Sequence, residues 1–176
     1  MMQEMDDKLI GGNVIQETCF GKTSSSHLIY HSHMPCPFCE IKNESFRLLA
    51  ETEHSIAFLS NPYIVDGQTL ITPKRHIEEP WQMNEAERKD LFDLVLRLQQ
   101  ILTSTYSTGC DIRENYRPFM KQSQVKIDHI HFHLQPREME DELYTVSQIH
   151  ENKLWKQLDE KACERMKKLV DSGLAH

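Results

Sequence analysis

Apolar residues fall in short runs along the first part of this chain, and a longer period takes over after residue 84. Phe46 to Leu49 and Ser55 to Ser60 flank the polar Glu51-Thr52-Glu53-His54, a pattern that predicts a β-hairpin. Asp66-Gly67 marks a turn before Thr69-Leu70-Ile71-Thr72, a third strand that Pro73 should end. Asn84 with Glu87 three residues on is a capping-box variant. Leu91, Leu94, Val95, Leu98, Ile101 and Leu102 then recur at spacings of three and four, predicting one amphipathic helix over about 85–106. Gly109 releases the chain, Ile112 suits a fourth strand, and Val125 to Leu134 alternates as a fifth should. Beyond Pro136 the chain turns acidic, and Leu154, Leu158, Met166 and Leu169 predict a C-terminal helix over about 150–170. The first 33 residues, with Gly11-Gly12 and Ser24-Ser25-Ser26, carry no clear period. This divides the chain into an arm (1–33), an α+β domain (34–140) and a helical extension (141–176).

Composition narrows the picture. A chain of 176 residues that is 39% hydrophobic can bury one substantial core. Its net charge of -7 excludes an extended nucleic-acid surface, which needs many cations for successive phosphates, yet permits a small anionic ligand. No apolar run nears the ~18 residues of a membrane span, and Glu4, Asp6 and Asp7 break the order of a signal peptide. A cytoplasmic protein without a membrane partner is the expectation. The five cysteines are odd in number and scattered except for Cys36 and Cys39, which favours reduced thiols and a metal over a disulfide framework.

The run His129-Ile130-His131-Phe132-His133 decides where chemistry is sought. Residues two apart share a face only on a strand; on a helix His129 and His131 would diverge by about 200°. A strand puts Val125, Ile127 and the three imidazoles on one face, rings about 6 to 7 Å apart, and sends Ile130, Phe132 and Leu134 into a core. Three readings stand: histidines facing solvent on an edge strand, an all-histidine catalytic metal site, or a face of catalytic imidazoles. Cys36-x-x-Cys39 is likewise open between half a zinc site, a redox pair and two idle thiols. A Gly-x-x-x-x-Gly-Lys-Ser/Thr loop and a Gly-rich dinucleotide fingerprint are both absent from the sequence.

Taken with Ile56-Ala57-Phe58-Leu59-Ser60-Asn61-Pro62 and Gly67-Gln68-Thr69-Leu70-Ile71-Thr72-Pro73-Lys74-Arg75-His76, the run resembles the histidine triad (HIT) family over roughly residues 34–140. His133-Leu134-Gln135-Pro136-Arg137 is similar to the branch that hydrolyses dinucleoside polyphosphates. The resemblance implies an antiparallel sheet of about five strands with one long helix packed on it, and homodimers paired through that helix and an edge strand. It also implies a nucleotide-phosphate hydrolase in which His131 attacks an α-phosphorus, forms a nucleotidyl-histidine and is released by water. A neutral imidazole whose Nδ1–H is held by an acceptor presents the Nε2 lone pair this needs. His133 would donate a hydrogen bond or proton near the leaving or phosphoryl oxygens, and Asn61 would hold the ribose. The family completes a structural zinc site with residues matching His76 and His129 beside Cys36 and Cys39; His31, His33 and His54 are possible substitutes for one ligand.

Two departures concern phosphate. The Gly-Gln-Thr/Ser-Val element of many relatives is replaced by Gln122-Ser123-Gln124-Val125, with Gln124 displaced by one residue, and Asn115 is the stand-in for an upstream amide. Lys126 and Arg137 are the cationic candidates, beside backbone amides. The uridylyltransferase branch carries Gln where this chain has His133, which favours hydrolysis over transfer. The leading expectation is hydrolysis of dinucleoside polyphosphates or of nucleotides with a small leaving group. Rivals are a metal-dependent phosphodiesterase using the histidines as ligands and a non-enzymatic nucleotide-binding protein.

Overall fold

A computed structural model describes residues 36–123, 125–151 and 154–174. The N-terminal arm, with His31 and His33, and the phosphate candidate Gln124 lie outside the described residues. Five strands, β1 (Leu48–Glu51), β2 (Ser55–Leu59), β3 (Thr69–Pro73), β4 (Gly109–Glu114) and β5 (Phe132–Arg137), form one sheet in the order β1-β2-β3-β5-β4. All four neighbouring pairs are antiparallel, so the α+β expectation of about five strands is met.

The predicted hairpin is β1 with β2, but Phe46 is not in it: residue 46 belongs to a 3-10 turn, Ile41–Arg47, and its ring is exposed. The long helix is α1, Glu85–Thr105. Asn84 Oδ1 accepts from the Glu87 N–H while the Glu87 carboxylate accepts from the Asn84 N–H, each at 2.9 Å, closing the predicted capping box. Leu91, Leu94 and Val95 pack with Ala57, Ile71, Ile130 and Leu134, and Leu98 and Leu102 close the edge of that core. Ile101, expected in the same stripe, points outward with Phe92 and Leu96, so the helix has an apolar flank the sheet does not cover.

The opposite sheet face holds a second core of Phe38, Ile41, Ile56, Phe58 and Leu70. Strands β2 and β3 are therefore buried on both sides, which explains their nearly unbroken apolar runs. Each such large side chain withdrawn from water contributes about 1.5–3 kcal/mol.

Two expectations need correction. The last strand begins at Phe132, not near Val125, because the β3–β5 ladder ends at Ile71↔Phe132. Before that point the chain bonds outside the ladder: the Ile130 N–H donates to the Ile77 carbonyl at 2.6 Å and Thr72 Oγ1 donates to the Ile130 carbonyl at 2.6 Å. The C-terminal helix is split into α2 (Glu142–Glu151) and α3 (Glu160–Leu174). Asp159 Oδ1 accepts the Ala162 N–H at 2.7 Å and so caps a new start, while Leu154 and Leu158 stay exposed between the two helices. Among the described residues no helix is long and apolar enough to cross a membrane.

Candidate active site and metal centre

Four donors meet where the chain enters the domain. Cys36, Cys39, His76 and His129 place their ligand atoms within 4.8 Å of one another. Cys36 Sγ lies 3.4 Å and Cys39 Sγ 3.7 Å from His129 Nδ1, and Cys39 Sγ is 3.5 Å from His76 Nδ1. Tetrahedral zinc with bonds near 2.3 Å to sulfur and 2.0 Å to nitrogen separates such atoms by about 3.5 Å, so the donor set fits that ion. The far side of each ring is also arranged. His129 Nε2–H donates to the Pro73 carbonyl at 3.0 Å, and His76 Nε2 is 3.4 Å from the Glu78 carboxylate, so both Nδ1 lone pairs turn toward the thiols. Burial holds the His129 imidazole down to about 4 and pushes the Cys39 thiol up to about 11, with Cys36 beside it adding to the latter. His76 is steadied through its neighbour: Arg75 reaches both Glu87 carboxylate oxygens, at 2.7 and 2.8 Å, tying the loop after β3 to the start of α1.

His131 and His133 stand apart from this cluster on the face bearing Phe38 and Leu70. Their ring centroids are 4.8 Å apart, closer than a regular strand repeat of 6 to 7 Å, and His131 precedes the strand and so lies outside its repeat. His131 Nδ1–H donates to the His129 carbonyl at 2.7 Å, which leaves Nε2 as a bare lone pair. The Phe38 ring meets His131 edge-on at 5.0 Å. Burial lowers the proton affinity of both imidazoles, that of His133 to about 4, so both are neutral at physiological pH. They open into a cavity of about 680 Å³ walled by Phe38, Arg47, Asn61, Gln68 and Leu70, with Gln122 and Ser123 at its rim. A smaller cavity of about 120 Å³ shares His131 and Ile127 with it.

The HIT domain family model matches residues 42–140, more than half of the 176-residue chain. The chain belongs to the HIT domain family. It is 30% identical over 115 residues to an adenosine 5'-monophosphoramidase of Candida albicans, covering 62% of this chain and 74% of that protein. It is 25% identical over 141 residues to the nitrilase and fragile histidine triad fusion protein NitFhit of Drosophila melanogaster, covering 78% of this chain but only 28% of the fusion. A HIT family structure from Bacillus subtilis superposes with a TM-score of 0.62 at 22% identity, covering 78% of this chain and 95% of that one, which shows the shared fold. Relatives carrying hydrolase names make this HIT protein a member of a hydrolase family.

Within the HIT fold the other predicted residues separate. Asn61 lines the large cavity. Asn115 and Lys126 line the small one, where Lys126 is paired with Asp128. Arg137 lines neither: its guanidinium is held by Asp141 at 2.6 and 2.9 Å and by Asp111 at 2.6 Å, tying β5 to β4 and to the start of α2. His54 is no ligand of the cluster; Glu53 is beside its Nε2 and Asp90 accepts its backbone N–H. Sequence reasoning missed Arg47 and Gln68. Arg47 is nearly buried, donates to the Leu59 carbonyl at 2.9 Å and to Glu44 at 2.6 Å, and lies over the Phe58 ring. No local signal marks either residue, but a polar residue amid a strand start and an arginine ending a turn are the places to look.

Proposed function

We propose that this HIT protein hydrolyses a nucleoside monophosphate joined to a small leaving group, through a nucleotidyl intermediate on His131 Nε2. The observation that carries the reading is the His131 Nδ1–H bond to the His129 carbonyl, which aims an unprotonated Nε2 into a cavity large enough for a mononucleotide. Nε2 displaces the leaving group from the α-phosphorus in line, and water then releases the monophosphate. His133 donates toward the phosphoryl oxygens, Asn61 serves the ribose, and Phe38 and Leu70 supply apolar walls for the base.

The smaller cavity bears on the leaving group. Four carboxylates, Glu78, Glu79, Glu114 and Asp128, line it against two cations, Arg117 and Lys126. That balance suits an amine, as in a phosphoramidate, better than a polyphosphate, whose charge it would repel. The Candida albicans relative's name, adenosine 5'-monophosphoramidase, supports the same preference. Dinucleoside polyphosphates are the second substrate class, supported by the likeness to NitFhit.

Zinc is the ion proposed for Cys36, Cys39, His76 and His129, which together form a closed shell without an open position for substrate. When bound it supplies structure, pinning the segment that carries Phe38 to the loop that carries His131. A homodimer is also proposed, supported by the uncovered Phe92, Leu96 and Ile101 of α1 and by Ile112 on the edge strand β4. Incubation with an α-labelled nucleoside phosphoramidate tests the core of the reading: acid-labile label on wild type and none on His131→Ala supports it, and full turnover by His131→Ala overturns it.

A further inference from the structure

His131 and His133 are chemically identical side chains 4.8 Å apart, yet the proposed reaction asks one to attack and the other to donate. Something must make them different. For His131 the backbone does so, as described above. For His133 the partner is Gln68, 65 residues away in sequence and itself 4% exposed.

The orientation of the Gln68 amide follows from its surroundings. The Ile64 N–H can only donate, and it meets Gln68 Oε1 at 2.9 Å. The other end is therefore the NH₂ group, which has one proton for His133 Nδ1 at 3.1 Å and one for Ser60 Oγ at 3.4 Å. Ser60 Oγ donates in turn to the Pro62 carbonyl at 2.6 Å, so it accepts from Gln68. The backbone of residue 68 is fixed as well: its N–H donates to the Val65 carbonyl and its carbonyl accepts the Ser60 N–H. A donor held this way facing Nδ1 requires a lone pair there, and the ring proton then sits on Nε2.

We infer that Gln68 is a positioning residue that locks His133 as the Nε2–H tautomer, making it a neutral hydrogen-bond donor for the phosphoryl group. The inference rests on the nucleotidyl-histidine reading and sharpens the part His133 plays in it. A neutral imidazole that gave up its Nε2 proton would become an imidazolate, and an amide N–H pointed at Nδ1 opposes taking up a second proton. His133 thus stabilises charge on phosphoryl oxygen without transferring a proton. Solvent water protonates the bridging nitrogen of a phosphoramidate, so that the amine leaves neutral as the P–N bond breaks and the bond from His131 Nε2 to phosphorus forms, whereas p-nitrophenolate leaves without needing a proton.

The test uses the full chain and two substitutions, Gln68→Glu and Gln68→Met. Glutamate is isosteric and still accepts the Ile64 N–H, but it presents an acceptor to Nδ1. Long-range ¹H–¹⁵N correlation spectra of the histidine rings at neutral pH should show His133 protonated at Nε2 in wild type, at Nδ1 in Gln68→Glu, and in exchange between the two in Gln68→Met. With its donor turned away, Gln68→Glu should lose kcat/KM by about 10²- to 10³-fold. The loss should be equal for a nucleoside phosphoramidate and a p-nitrophenyl nucleotide ester. A wild-type His133 protonated at Nδ1 overturns the inference, as does an unchanged tautomer in Gln68→Glu. A loss confined to the phosphoramidate also overturns it, because that pattern belongs to a proton donor. The spectra need no turnover, so they judge Gln68 even if no nucleotide proves to be a substrate.

Discussion

Removal of the proposed zinc is the perturbation with the widest reach, because the four ligands join three separate parts of the chain. Cys36 and Cys39 lie just before the turn that carries Ile41, His76 follows β3, and His129 lies just before β5. Without an ion the four donors have only weak contacts between thiols and rings, and the segment from Cys36 onward relies on Phe38 and Ile41. Losing the burial of those two side chains would cost about 3 to 6 kcal/mol if the segment lifted completely. Mass action gives a similar scale independently: zinc at 100 times its Kd stabilises the folded chain by about 2.7 kcal/mol. For a chain of this size that corresponds to a rise of about 5 to 10 °C in Tm. Phe38 touches both Phe58 and His131, at 5.3 and 5.0 Å, so its release also removes a wall of the nucleotide cavity. Chelation followed by a thermal melt should therefore lower Tm by that amount and raise KM for the nucleotide, with both restored by zinc. Cys36→Ser should reproduce the loss without chelator, and elemental analysis should find one zinc per wild-type chain. Metal-free wild type that melts at the same temperature as the zinc-loaded protein would refute the reasoning. Activity that depends wholly on metal with no covalent adduct would favour the metal-dependent phosphodiesterase.

The Arg75–Glu87 pair should show in acid. Its hydrogen bonds to Arg75 hold the Glu87 carboxyl down to about 2 from an ordinary 4.5, so its stabilisation is complete above pH 4.5 and fades as pH falls toward 2. Glu87→Gln should melt a few degrees below wild type at pH 7, with the gap narrowing below pH 4.5 and closing only near pH 2; a gap that is constant with pH would contradict the pairing. For the dimer, sedimentation of wild type should give twice the chain mass, and Leu96→Glu combined with Ile112→Asp should give monomers. A wild-type monomer at micromolar concentration would remove the proposed interface.

What the sequence disclosed and what it hid divide along physical lines. The α1 cap and stripe were legible because the partners are three or four residues apart, and the triad because its period is two. The metal cluster became legible only through the family likeness, since Cys36 and His129 are 93 residues apart. The start of β5 was misread because alternation continues through residues whose backbone bonds go to Ile77 and Thr72 instead of to a strand. Arg137 looked like a phosphate cation because charge is visible in a sequence and its neutralisation by Asp111 and Asp141 is not. Gln68 was hidden for the converse reason: an uncharged residue in a strand-forming run gains its role from a ring 65 residues away.

The central claim is that His131 carries the nucleotide. Rapid quenching of the wild-type protein with an α-³²P-labelled nucleoside phosphoramidate, followed by proteolysis and peptide mass analysis, tests it most directly. The expected result is label that is stable in base, lost in acid, and assigned to His131 by fragmentation of the peptide that carries all three histidines. Product formed at the full rate with no label on that peptide, or with label on His133 or His129 instead, would contradict it.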